Sequence, residues 1–189
     1  MKLFRNKRHI IVKSNVIIIM VTLLFSCTND IKKVRDFLSD QNLPIGVAEH
    51  IDVKYKDSGK ITTKLISPLL HDFSNREEHP YSEFPKGIHI TKIESGKDST
   101  TVDGDYAISY TKTEISELKG HVVIVNYGKH YTLKTEQLFW DQKQHYFITE
   151  KAFSFVTPSD TIYGIGFESS ENLENWHAKQ NRGTLKLNN

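Results

Sequence analysis

At 189 residues the chain is sized for one domain, since domains cluster at roughly 100 to 150 residues. Its 25 basic and 23 acidic side chains look balanced, but the first 27 residues hold five basic groups (Lys2, Arg5, Lys7, Arg8, Lys13) and no acidic one, so the remainder carries 20 against 23, a net of −3. The basic excess belongs to a leader and no basic stripe crosses the body, which excludes nucleic acid as the expected partner.

That leader has a basic start, an apolar run over 16–25 (VIIIMVTLLF), then Ser26 and Cys27. This is the layout of a secretory signal. The run falls short of the roughly 20 apolar residues that a spanning helix needs, and spanning would require 10–27 to act as one segment. Cys27 is the chain's single cysteine and follows the run directly, in Leu24-Phe25-Ser26-Cys27. The sequence resembles a bacterial lipobox, with Cys27 as the lipid-attachment residue; the alternative is an uncleaved anchor helix ending by chance in a cysteine. Either way the body is expected outside the cytoplasm, tied to a membrane, with no intramolecular disulfide available.

Residues 28–48 read as a tether. Charged side chains surround Ile31, Val34, Phe37 and Leu38 with the loose spacing of one helix face, and Pro44-Ile45-Gly46 ends the segment. From Glu49 the pattern becomes strict alternation, which places successive side chains on opposite faces of a strand. It recurs in Ile51/Val53/Tyr55, Ile61/Thr63/Leu65, Ile88/Ile90, Tyr106/Ile108/Tyr110, Tyr131/Leu133, Phe153/Phe155 and Tyr163/Ile165/Phe167. Turn residues interrupt it at 57–59, 94–96, 103–105, 127–129, 140–143 and 157–160. The expected class is all-β, built of many short antiparallel strands.

There is also an internal repeat of 31 residues. Asp105 to Ser109 and Val122 to Ile124 align with Glu136 to Trp140 and Phe153 to Phe155, and Ser82 to Ile88 echoes Ser116 to Val122. A repeat of this length is one supersecondary unit that cannot bury its apolar face alone. Stacked antiparallel hairpins in a β-roll over 49–187 follow, with a plain β-sandwich as the alternative.

Chemistry is sparse. The nine histidines are scattered without metal-ligand spacing, so no metal is expected. No phosphate loop or nucleophile elbow is present. Asp103 and Asp105, with Glu114 and Glu117, could form an acid–base pair, but turns and outward strand faces are where solvated carboxylates belong. No catalytic residue and no cofactor are expected, and the chain is read as not an enzyme. The apolar lanes remain. Leu65, Tyr106, Ile108, Tyr131, Leu133, Phe153, Phe155, Tyr163 and Phe167 fill the core if the roll is closed, or line a slot suited to acyl chains if it is open. The segment 161–168 (TIYGIGFE) has no proline or lysine, and Gly164 and Gly166 would let another backbone approach. Strands formed by 161–168 and the following stretch to Leu187 are the expected docking edge, with Gly164 and Gly166 marking a bulge in an interior strand as the alternative.

Five segments carry a resemblance: KDSGKI at 56–61, EFPKGI at 83–88, LKGHVVIVN at 118–126, KTEQLFWD at 134–141 and IYGIGFES at 162–169. In this order they resemble the LptC family, the inner-membrane-anchored periplasmic component of lipopolysaccharide export, most of all its Bacteroidetes-type form with a lipoprotein-like leader. The resemblance implies an open twisted β-jellyroll of the OstA/LptA kind, preceded by an N-terminal membrane anchor and facing the periplasm. Its interior would hold the acyl chains of lipopolysaccharide. The implied partners are the permease subunits of the inner-membrane ABC exporter and the periplasmic bridge protein LptA. Family glycines in the first hairpin turn and near the C-terminal edge correspond to Gly59 and Gly164, and with Gly166 they are the residues expected at the partner-docking edge. A different reading is a secreted or surface lipoprotein, an assembly or adhesion module with a closed core.

Overall fold

A computed structural model describes residues 32–33, 36–37, 42–94 and 97–182. The leader with Cys27 lies outside the described residues. Of the tether's first part, Lys32, Lys33, Asp36 and Phe37 are described and are helical. Among the described residues no helix is long and apolar enough to cross a membrane.

The rest is all-β. Eleven strands follow in chain order: β1 (Gly46–Asp57), β2 (Lys60–Phe73), β3 (Tyr81–Phe84), β4 (Ile88–Glu94), β5 (Lys97–Gly104), β6 (Tyr106–Tyr110), β7 (Ile115–Asn126), β8 (Tyr131–Asp141), β9 (Tyr146–Val156), β10 (Thr161–Ser170) and β11 (Trp176–Arg182). Every pairing is antiparallel. β3 with β4, and β5 with β6, act as two long strands each broken near the middle. β2 pairs with β4 through Thr63 to Ile66 and with β3 through His71 to Phe73. β7 pairs with β6 through its first half and with β5 through its second. The sheet is therefore an up-and-down meander creased across its strands and folded into two layers, an open jellyroll-like fold.

The crease is written in particular residues. Gly87 and Gly120 have φ of 89° and 72°, and Gly166 has 78°, the left-handed region where a side chain costs energy. Register shifts interrupt β7 between Lys119 and Val122, β8 between Thr135 and Phe139, and β10 between Ile165 and Phe167, and such bulges bend a strand. Ser67, buried where β2 changes partner, donates its hydroxyl to Gly87 O at 2.6 Å. The stretch 103–105, expected as a hairpin turn, is part of this crease: Asp105 N donates to Gly120 O at 3.0 Å and the chain continues in the same direction into β6. The 31-residue repeat is explained here. Its first copy is the broken strand β5–β6 with β7, and its second is the unbroken β8 with β9.

At the crease His121 Nδ1 lies 2.6 Å from Asp105 Oδ2. This hydrogen bond, then the Asp105 charge, raises the imidazole's pKa above 6.5. A raised folded-state pKa contributes stability that is fully present below about pH 6.5 and is lost as pH rises through the folded value. The pair is exposed, so the effect is small. The melting temperature should fall slightly more between mildly acid and mildly alkaline buffer for the natural chain than for Asp105→Asn, read by circular dichroism; equal falls would remove His121 from the account.

In the first layer, cross-strand partners align into one apolar row: Leu65, Ile90, Val102, Ile124, Leu133, Phe155 and Ile162. The facing layer carries Phe84, Ala107, Leu118 and Leu138 in one row and Ser82, Ser109, Ser116, Trp140, Phe147 and Ser169 in the next. Across β8 to β11 large rings occupy the space between layers. Phe155 and Phe167 centroids are 5.0 Å apart, and Trp176 stacks on Phe167 at 6.0 Å.

Candidate ligand cleft

Across β3, β6 and β7 four of the inward positions, Ser82, Ala107, Ser109 and Ser116, are too small to reach the opposite layer. The result is a cleft of about 360 Å³ between the layers. One wall is Thr63 and Leu65 of β2 with Ile88, Ile90 and Lys92 of β4; the other is Ser82, Phe84, Ala107, Ser109, Ser116 and Leu118, continued by Trp140 and Gln142 of β8. Strand direction grades the cleft. Toward the crease lie Phe84, Ile88, Ala107 and Leu118, whereas Thr63, Lys92, Ser109, Ser116, Gln142, His145 and Glu171 lie toward the mouth. Gln142 Nε2 donates to Ser116 Oγ at 2.7 Å, and Ser116 Oγ donates to Ser109 Oγ at 2.9 Å, which satisfies that polar wall internally.

Of the expected slot residues, Leu65 lines this cleft. Leu133, Phe153, Phe155 and Phe167 are buried in the filled half, with Tyr131 packed against them. Tyr106 and Ile108 lie on the other face of β6 from Ala107 and Ser109. There the Tyr106 hydroxyl donates to Glu83 Oε1 at 2.7 Å, and burial followed by that carboxylate pushes the phenol above its ordinary range. Tyr163 is 57% exposed although Phe167 is fully buried. The bulge at Gly166 lies between them and exchanges the two faces, so the alternation read through 163–167 does not hold.

The glycines assigned to a docking edge are placed differently from one another. Gly59, with Ser58, makes the two-residue β1–β2 turn in which both residues have positive φ, 79° and 48°, as a primed hairpin turn requires. Gly164 sits inside the sheet, paired with Phe153 on one side and Asn181 on the other. A Cβ there would overlap the Gln180 carbonyl oxygen and the Phe153 ring. β10 is thus an interior strand, and the sheet's outer strands among the described residues are β1 and β11. β11 lies in the stretch up to Leu187 expected to follow 161–168 at the edge, although WHAKQNR has little apolar alternation to mark its bounds.

Asp103 and Asp105 do not form a carboxylate pair: His89 Nδ1 lies 2.6 Å from Asp103 Oδ1, as His121 does from Asp105. Among the described residues no group of three or more metal-ligating side chains could hold an ion. Sequence reasoning also missed Lys92, Trp140 and Glu171 at the cleft mouth, which converge from 79 and 31 residues apart and have no local motif.

No curated protein sequence matches the chain. The family model described as "Lipopolysaccharide-assembly, LptC-related" matches residues 15–185, nearly the whole length. Components of this family take part in lipopolysaccharide transport and are not catalytic. With a family match over the leader's apolar run and all eleven strands, the chain belongs to the LptC family.

Proposed function

We propose that this chain receives lipopolysaccharide from the inner-membrane ABC exporter and passes it to the periplasmic bridge protein LptA, with acyl chains lodged between the two layers. The cleft carries this reading: small side chains on β3, β6 and β7 leave space facing Leu65, Ile88 and Ile90, and its volume of about 360 Å³ is within the range of small-ligand sites. Residues 1–27 act as signal or anchor with Cys27 as the acylation site, 28–48 as the tether, whose last three residues already pair with β2 in β1, and 49–187 as the lipid-handling body at the periplasmic side of the inner membrane. β1 and β11, each paired on one side among the described residues, are the edges to which neighbouring rolls add strands. Of the docking edge expected over 161–168 and the stretch to Leu187, β11 is the part that carries the bridge-docking role.

During ATP-driven export, a photo-crosslinker at Leu65, Ala107 or Leu118 should capture lipopolysaccharide, and one at Tyr106 or Ile108 on the opposite face should not. Equal capture on both faces, or capture independent of ATP, would overturn the cleft as the route.

A further inference from the structure

The β10–β11 turn crosses the open side of the two-layered sheet. Leu173 is fully buried, Asn126 Nδ2 at the end of β7 donates to Asn172 O at 2.6 Å, and Lys129 Nζ lies 3.1 Å from Glu174 Oε1. Glu171 goes further, into the mouth of the cleft. Its carboxylate, only 12% exposed, meets three donors from three separate parts of the chain. Lys92 Nζ of β4 makes an ion pair with Oε2, Trp140 Nε1 of β8 donates to Oε1 at 2.5 Å, and His145 Nδ1 of the β8–β9 turn lies 3.3 Å from Oε2. Lys92 also lies 5.7 Å from the Trp140 ring centroid.

A lysine facing inward at the end of an apolar strand lane is costly unless paired. β4 carries such a lane in Ile88, Ile90 and Lys92. Together an ammonium, an indole N–H and an imidazole define a site for one compact anion, and the chain's own carboxylate occupies it. Apolar walls lead away from the site toward the crease.

We infer that Lys92, Trp140 and His145 form a phosphate-binding site for the headgroup end of an anionic amphiphile whose chain lies in the cleft, and that Glu171 is a resident stand-in that this phosphate displaces. The inference rests on the cleft being the lipid site and adds the polarity of the bound lipid: phosphate at the mouth, chain toward the crease. A phosphate monoester matches the donors better than the carboxylate does, because it presents three acceptor oxygens with up to two negative charges. Displacement frees the β10–β11 turn from β4, so occupancy and opening of the mouth are coupled.

The test uses the full chain held in amphipol, with the Trp140 indole N–H resonance as the reporter, assigned by its loss in Trp140→Phe. The probes are dodecyl phosphate, uncharged dodecyl glucoside and inorganic phosphate. Dodecyl phosphate should shift the signal saturably and bind more tightly than either other probe. Glu171→Gln, which removes the competing charge, should tighten dodecyl phosphate by about tenfold or more and leave the glucoside nearly unchanged. Lys92→Met combined with Glu171→Gln should abolish the preference for phosphate. Equal binding of dodecyl phosphate and glucoside to the natural chain overturns the phosphate site and leaves the cleft reading standing, an outcome that does not depend on any variant folding. Inorganic phosphate binding as tightly as dodecyl phosphate would overturn the amphiphile assignment. Absence of binding by either dodecyl probe overturns both readings.

Discussion

Phe155→Ala should destabilise the body by about 3–5 kcal/mol, the usual cost of deleting a fully buried phenylalanine ring. Phe155 is 0% exposed, and its ring centroid lies 5.5 Å from Tyr131, 5.0 Å from Phe167 and 5.2 Å from Trp176. These partners come from β8, β10 and β11, so truncation removes contacts that hold three strands together and leaves a cavity that β-sheet backbones cannot readily collapse to fill. Tyr163→Ala, two residues from Ile165 on the exposed face of β10, should change stability by no more than about 0.5 kcal/mol. Urea unfolding followed by far-ultraviolet circular dichroism separates the two. A loss under about 1 kcal/mol for Phe155→Ala would mean that the layers are not packed across β8 to β11 and that the open region extends through the whole sheet.

The strands were legible because an all-β chain with one face buried must alternate. The rows built from Leu65, Leu133, Phe153 and Phe155 follow from period two alone. Alternation does not say which of two half-buried faces is inner. On β6 the rule that large apolar residues point inward selects Tyr106 and Ile108, but a cleft requires small inward residues, and Ala107 and Ser109 supply them. The outward Tyr106 is accommodated by its hydrogen bond to Glu83. Creases were illegible for a related reason. Gly104-Asp105 has the composition of a hairpin turn, and only the pairing of β7 with both β5 and β6 makes it a bend. At Gly166 a single bulge residue reverses the faces downstream, so Tyr163 and Phe167 cannot share a lane. Glu171 with Lys92 and Trp140 left no trace in the sequence, because a bridge between layers has no period.

Filling the cleft should separate stability from transport. Ser82 and Ser109 are cross-strand partners on β3 and β6, and both line the cleft. Ser82→Leu with Ser109→Leu places two branched apolar side chains opposite Leu65 and Ile90. Because the space between the layers exists there, the substitutions act as cavity filling and should raise stability by about 0.5–2 kcal/mol. The lost acceptor for Ser116 Oγ reduces that gain, although Gln142 still donates to Ser116. The same leucines block the route of an acyl chain, so capture of lipopolysaccharide by a photo-crosslinker at Leu118 should drop by about tenfold or more, equivalent to about 1.4 kcal/mol of lost binding. Had the layers been packed here as they are at Phe155, the leucines would overpack the core and cost about 1–3 kcal/mol instead. A destabilised variant would therefore show that the cleft is not open space, and a stable variant that still captures lipid would show that the lipid travels by another face. Higher stability with lost capture is the combination expected of a sheet whose unfilled half is kept open for a ligand.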